Sequence, residues 1–172
     1  MSDSRLQEIM IRAVVGRAER TLTWRHKLAA SGIKQVLGVK VGKTALSVAM
    51  EENRPIAELT VDCDLWCSGE AGTKVLRTRC RCLQEVPVSL QGEVTGEAES
   101  ELELVSGPRS TGIRVEGESI YIDFEATVHV EVTAQTRLWV RAYDRDLFSG
   151  DTARAACAAA MSGDVSSPFG SH

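Results

Sequence analysis

The sequence predicts a mainly β fold: an antiparallel β-sandwich or jelly-roll-like domain with a short N-terminal helix and a short alanine-rich C-terminal helix. Three observations carry this expectation. Apolar residues recur at every second position through most of the chain, as half-buried strands require. No helical pattern separates those runs, which argues against the alternating strands and helices of a parallel sheet. Three- and four-residue spacing of apolar residues is confined to the two ends.

At the start, Leu6, Ile9, Met10, Ala13 and Val14 recur at the spacing of one face of an amphipathic helix. At the other end, Asp151 or Thr152 is placed to cap a helix through the alanine-rich run 154–161, and a small polar tail follows. The predicted organisation is therefore an N-terminal amphipathic helix over 1–14, which is also a candidate oligomerisation element, a β-sandwich domain over 15–148, and an alanine-rich helix with a flexible tail over 149–172. Between the ends, Leu22, Trp24, His26 and Leu28 alternate with Thr21, Thr23, Arg25 and Lys27. Leu59, Val61, Cys63, Leu65 and Cys67 alternate with Asp62, Asp64 and Trp66, and residues 68–72 offer a hairpin turn into a strand over 73–83. The longest alternation runs from Ile120 through Ile122, Phe124, Ala126, Val128 and Val130 to Val132, with Gln135 and Thr136 marking an expected bend before Leu138, Val140 and Ala142. Adding 36–41, 45–50, 86–90 and 102–105 predicts eight or more short strands.

The chain of 172 residues is long enough to bury a core without disulfides or metals. No apolar run approaches the ~18 residues of a membrane span, so membrane insertion is not expected. The first residues lack a basic stretch followed by an apolar core, which predicts a protein made and used in a cytoplasm. Five cysteines, Cys63, Cys67, Cys80, Cys82 and Cys157, are an odd number and argue against a closed secreted disulfide framework. The net charge of -4 hides an uneven distribution: residues 1–54 carry ten basic and five acidic side chains, whereas 85–125 carry two and ten. That separation argues against nucleic acid as a partner. It predicts either chains that attract one another end to end or a solvated surface with clustered charge.

Several motifs invite chemistry. Residues 38–44, Gly-Val-Lys-Val-Gly-Lys-Thr, approach a phosphate-binding loop, but only three residues separate the glycines and a β-rich run follows Thr44; a hairpin turn is the plainer expectation. Cys63 and Cys67, followed by Cys80 and Cys82, invite a zinc reading. On an extended strand the first two lie roughly 13 Å apart, so small buried side chains on the inward face are the favoured reading, with a cross-strand disulfide or an intermolecular crosslink as the rival. The three histidines, His26, His129 and His172, fall in strands or in the tail, and neither the nucleophile elbow nor the zinc-protease motif is present. No catalytic, cofactor-binding or metal residues are assigned, and no cofactor is implied. Trp66 and Trp139 fall on faces opposite Leu65 and Leu138, so either both faces of those strands are covered or a tryptophan is presented outward to a protein or a sugar. The candidate interaction residues are Leu6, Ile9, Met10, Trp66 and Trp139.

The order of elements resembles the outer spore coat morphogenetic family typified by CotE. The residues that carry the resemblance are Ala13, Val14, Val15 and Gly16, then Val36, Leu37 and Gly38; the segment Val61-Asp62-Cys63-Asp64-Leu65-Trp66-Cys67-Ser68, with Thr73 and Lys74 after a turn; and Pro108, 120–125, 130–132 and 135–140. The similarity covers roughly residues 5–142. The chain departs from the family pattern over 39–45, at Ala134, and in the alanine-rich segment that replaces an acidic tail. The resemblance implies a non-enzymatic scaffold that self-assembles and recruits other spore coat proteins, made in the mother-cell cytoplasm and deposited on the forespore. The alternative from a different class is a carbohydrate- or ligand-binding β-sandwich module that uses Trp66 or Trp139.

Overall fold

In the computed structural model, residues 5–142 are described, and they form six strands: β1 (Arg5–Ala29), β2 (Ile33–Glu51), β3 (Arg54–Gly69), β4 (Gly72–Glu85), β5 (Val94–Glu116) and β6 (Ser119–Ala142). They build two three-stranded antiparallel sheets, in the orders β1-β6-β5 and β2-β3-β4. The alanine-rich segment expected to be a C-terminal helix lies outside the described residues. Two compact units are distinguished: Met10–Arg137, and a smaller one whose described residues are 5–9 and 138–142.

Within the larger unit the central strands β3 and β6 carry the core. Odd-numbered Leu59, Val61, Cys63, Leu65 and Cys67 of β3 are buried together with Ile120, Ile122, Phe124 and Ala126 of β6, so the two sheets share one apolar layer. A second cluster joins Leu22 and Ala57 to Val128, Val130, Val132 and Ala134. Trp24 borders both clusters and stacks on Phe124 with ring centroids 5.2 Å apart. The alternation read from the sequence thus points the expected residues inward. Strict period-two patterning fixes register here, because a slip of one residue would turn the whole set outward.

The sequence patterning divides the chain into more strands than the structure has. Residues 36–41 and 45–50 belong to one strand, β2, whose pairing with β3 shifts register between Val41 and Thr44. The glycine-lysine run is therefore an irregular stretch of strand and not a turn. Gly42 lies so close to β3 that a Cβ on it would sit 3.2 Å from the Asp62 carbonyl oxygen. The bend expected at Gln135 and Thr136 is also absent, since β6 continues through both and Thr136 stays buried. Residues 86–90 are not a strand. They belong to the connection from β4 to β5, held where the Val86 amide donates to Pro55 O at 2.8 Å and the Gln91 amide donates to Val15 O at 2.7 Å.

The largest departure is at the N terminus, where residues 5–14, expected to be helical, belong to β1. Ile11, Ala13 and Val15 are the more buried set there while Met10, Arg12 and Val14 are exposed, and beyond Gly16 the phase inverts to Ala18, Leu22, Trp24 and His26 inward. A strand with apolar residues on both faces produces i, i+3, i+4 spacings by coincidence. The β-branched Ile9, Ile11, Val14 and Val15 favour the extended form.

Two-residue turns close the three hairpins at Glu52-Asn53, Glu70-Ala71 and Gly117-Glu118. Glu52 and Asn53 both take positive φ, 50° and 62°, the backbone that a primed hairpin turn needs and that asparagine tolerates well. The hairpin expected at 68–72 is present.

Candidate functional site

Both broad sheet faces are laddered with paired charges. On the β3–β4 hairpin, Arg79 Nε donates to Asp62 Oδ1 at 2.7 Å and Arg81 Nε to Glu58 Oε1 at 2.6 Å, while Arg77 lies 3.4 Å from Asp64. On the other sheet, Arg17 pairs with Glu131 at 2.7 Å, Arg25 with Asp123 at 2.6 Å and Arg109 with Glu125 at 2.6 Å; Arg12 pairs with Glu99. The β1–β6 pairs hold one register, since each step along β1 is matched by an equal step back along β6. Arg12 and Arg25 of the basic N-terminal third thus pair within the chain with Glu99 and Asp123 of the acidic stretch, the two segments expected to draw chains together. Arg12, Arg17 and Arg25 of β1 find their counterions in their own chain, at Glu99 on β5 and at Glu131 and Asp123 on β6.

These pairs tie stability to pH. Hydrogen bonds from Arg79, Arg12 and Arg25 hold the carboxyls of Asp62, Glu99 and Asp123 below their ordinary values. A carboxyl lowered on folding contributes stability above its unfolded pKa, and that contribution is lost as pH falls through the lower folded value. The melting temperature is expected to fall modestly below about pH 6.5, where the unfolded chain takes up the proton that half-buried His26 resists, and further below about pH 4 as the paired carboxyls are protonated. Thermal melts from pH 7 to pH 2 check this, and a level curve throughout would contradict it.

The cysteines are inward-facing. Cys63, Cys67, Cys80 and Cys82 are buried and free, at alternate positions of β3 and β4. In register Cys63 faces Thr78 and Cys80 faces Val61, so the two thiols are diagonal neighbours. Burial, with Cys63 adding to it, pushes Cys80 up to about 12, and burial raises the other three thiols as well. Thiolate is the form that attacks disulfides and binds metal, so these side chains behave as small hydrophobes. In a Cys157→Ser variant at pH 8, a thiol reagent such as Ellman's is expected to find no fast-reacting cysteine until denaturant is added. Rapid labelling of the native protein would overturn this.

His26 is half-buried, its Nε2 lies 3.1 Å from Thr78 Oγ1, and burial lowers its pKa. A groove of about 600 Å³ is lined by Arg12, Val48, Met50, the run 98–101 and Thr133. Ser100 Oγ is buried there without a hydrogen-bond partner among the described residues, but the groove's lining includes no histidine or lysine to activate it. Among the described residues, no group of three or more His, Cys, Asp or Glu side chains is placed to hold a metal ion.

The sequence-derived interaction residues occupy several places. In the larger unit, Met10 is 51% exposed, and Trp66 is 39% exposed on the outer face of β3. Trp66 is thus presented outward instead of lying under a second packed layer. In the smaller unit, Leu6 and Trp139 are each 66% exposed, Leu138 is also exposed, and Ile9 is half-buried. Leu138 and Trp139 are consecutive on a strand, so they point to opposite sides and neither side of this stretch is covered among the described residues. Leu37, Val75 and Leu83 are further exposed apolar residues that sequence reasoning missed, because each lies on a strand whose face could not be assigned from alternation alone.

These features define a two-sheet, antiparallel β protein with charge-paired faces and apolar side chains left uncovered. Comparison with protein-family models, curated proteins and solved structures gives no match. No helix among the described residues is long and apolar enough to cross a membrane.

Proposed function

We propose that the chain is a non-enzymatic structural scaffold that self-assembles and recruits other proteins in the outer coat of a bacterial endospore. The observations that carry the assembly part are the exposure of Leu6, Leu138 and Trp139 in the smaller unit and, separately, of Met10 in the larger one. Isolated exposed apolar residues are ordinary, but two consecutive large ones are bare on both sides of a strand among the described residues, and such a strand is stabilised by a partner. The paired charges on both sheets favour apolar or strand-edge contact over electrostatic attraction as the force between chains. The coat part of the reading rests on the resemblance over 61–68 and 120–140, segments that form the two central strands. Its partners are copies of itself and other coat proteins, and its place is the forespore surface facing the mother-cell cytoplasm. A fluorescent fusion expressed during sporulation of an endospore-forming bacterium tests this: a ring at the forespore is expected, and diffuse mother-cell fluorescence would contradict the reading.

A further inference from the structure

We propose that a second copy of this chain docks on the outer face of the β2-β3-β4 sheet, with Trp66 as the knob and the groove beside β5 of the second copy as its socket. The inference rests on the self-assembly proposed above and names a contact for it. Trp66 stands in register between Gly38 of β2 and Val75 of β4, and Leu37 precedes Gly38. Leu37, Trp66 and Val75 are all exposed, so one end of this face presents three apolar side chains together; Leu83 is exposed at the other end. From Trp66 toward Glu58 the face carries more cations than carboxylates. Arg77, Arg79 and Arg81 pair with Asp64, Asp62 and Glu58, which leaves Lys40 and Lys43 in excess.

The groove complements this face in shape and in charge. Val48, Met50 and Ala98 give it an apolar wall, its volume of about 600 Å³ admits an indole, and Glu99 and Glu101 stand in its lining. Arg12 is also in the lining and is neutralised by Glu99. Glu101 and Glu103, the next outward residue of β5, form no ion pair among the described residues. Glu101 also faces Glu131 across the ladder, an arrangement that an incoming ammonium group relieves. The order of features matches: an apolar knob followed by Lys40 and Lys43 meets an apolar socket followed by Glu101 and Glu103, and outward positions recur about every 6.8 Å on any strand. A tryptophan seated in a pocket with charges at the rim is a common anchor of protein interfaces, and the charges set which surface it meets. Trp66 does not reach the groove of its own chain, because Gly38 beside it and Val48 in the groove are separated by roughly 33 Å of strand. Knob and socket are different surfaces, so the contact runs head to tail and repeats from chain to chain. It is small, and it holds an array only together with the contact through Leu6, Met10 and Trp139.

Sedimentation velocity of two charge variants of the full chain tests it, at about 0.1 M salt, where exposed charges act over about 10 Å. Lys40→Glu with Lys43→Glu makes the knob side acidic, and Glu101→Lys with Glu103→Lys makes the socket side basic. Each variant alone sets like charges against one another at the contact, and the concentration at which large species form is expected to rise tenfold or more. An equal mixture of the two restores opposite charges at every contact and is expected to assemble as the wild type does. Mixing does not rescue a misfolded variant, so recovery separates a lost contact from a lost fold. Trp66→Ala is expected to disperse the large species with its circular dichroism unchanged. The inference is overturned if the wild type assembles and any of these variants alone assembles equally well, or if the mixture stays dispersed; assembly through Leu6, Met10 and Trp139 survives those results. A wild type of one-chain mass at every concentration overturns both readings.

Discussion

Phe124→Ala is expected to cost about 3–5 kcal/mol, within the range for emptying a well-packed aromatic site, and so to remove a large share of a total stability of about 5–15 kcal/mol. Phe124 is 1% exposed, lies on the central strand β6, and stacks against Trp24. Because Trp24 borders both apolar clusters, the void would open at the junction where the two sheets share their core. Collapse of strands from both sides would be needed to fill it, and the register of the flanking buried residues opposes that. Urea unfolding followed by tryptophan fluorescence measures the cost. A loss below about 1 kcal/mol would mean that Phe124 does not sit between the sheets.

The combined variant Leu6→Lys, Met10→Lys and Trp139→Lys is expected to abolish assembly while leaving the β circular dichroism signal intact. Each side chain is at least half exposed in the chain alone, so its replacement removes little of the folded state's own packing. In an interface the same replacements would bury unpaired ammonium groups, which is several times more costly than losing apolar contact. Charge reversal of Glu99 would be a poor substitute, because it would set a lysine beside Arg12 of the same chain and perturb the fold itself. Assembly of the variant to wild-type size would rule these residues out as the contact.

Much of the fold was legible because the central strands obey period two without interruption. Residues 120–132 and 59–67 each present one unbroken buried set that was readable from alternation alone, and the structure extends these sets to Ala134 and Ala57. The N-terminal strand was not, because its phase inverts at Val15 and Gly16 where residues 86–91 cross it. A Cβ on Gly16 would lie 2.7 Å from Val88, a close approach that leaves no trace in local spacing. Strand number was overcounted for a related reason: register shifts in β2 and β5 interrupt alternation without ending the strand. Of the candidate surface, the position of Trp66 opposite Leu65 left two readings, a second covering layer or an outward tryptophan, and its 39% exposure selects the second. The neutralising ladders were not legible, because they join residues such as Arg25 and Asp123 that are distant in sequence and meet only through strand pairing.

Sedimentation velocity of the purified full chain, across a concentration series and at 0.1 and 1 M salt, tests self-assembly most directly. Screening shortens from about 10 Å to about 3 Å between those salts, which silences exposed charge pairs and leaves apolar contacts unweakened. The account predicts large species that grow with concentration and persist at 1 M salt. A single species of one-chain mass at every concentration would contradict it.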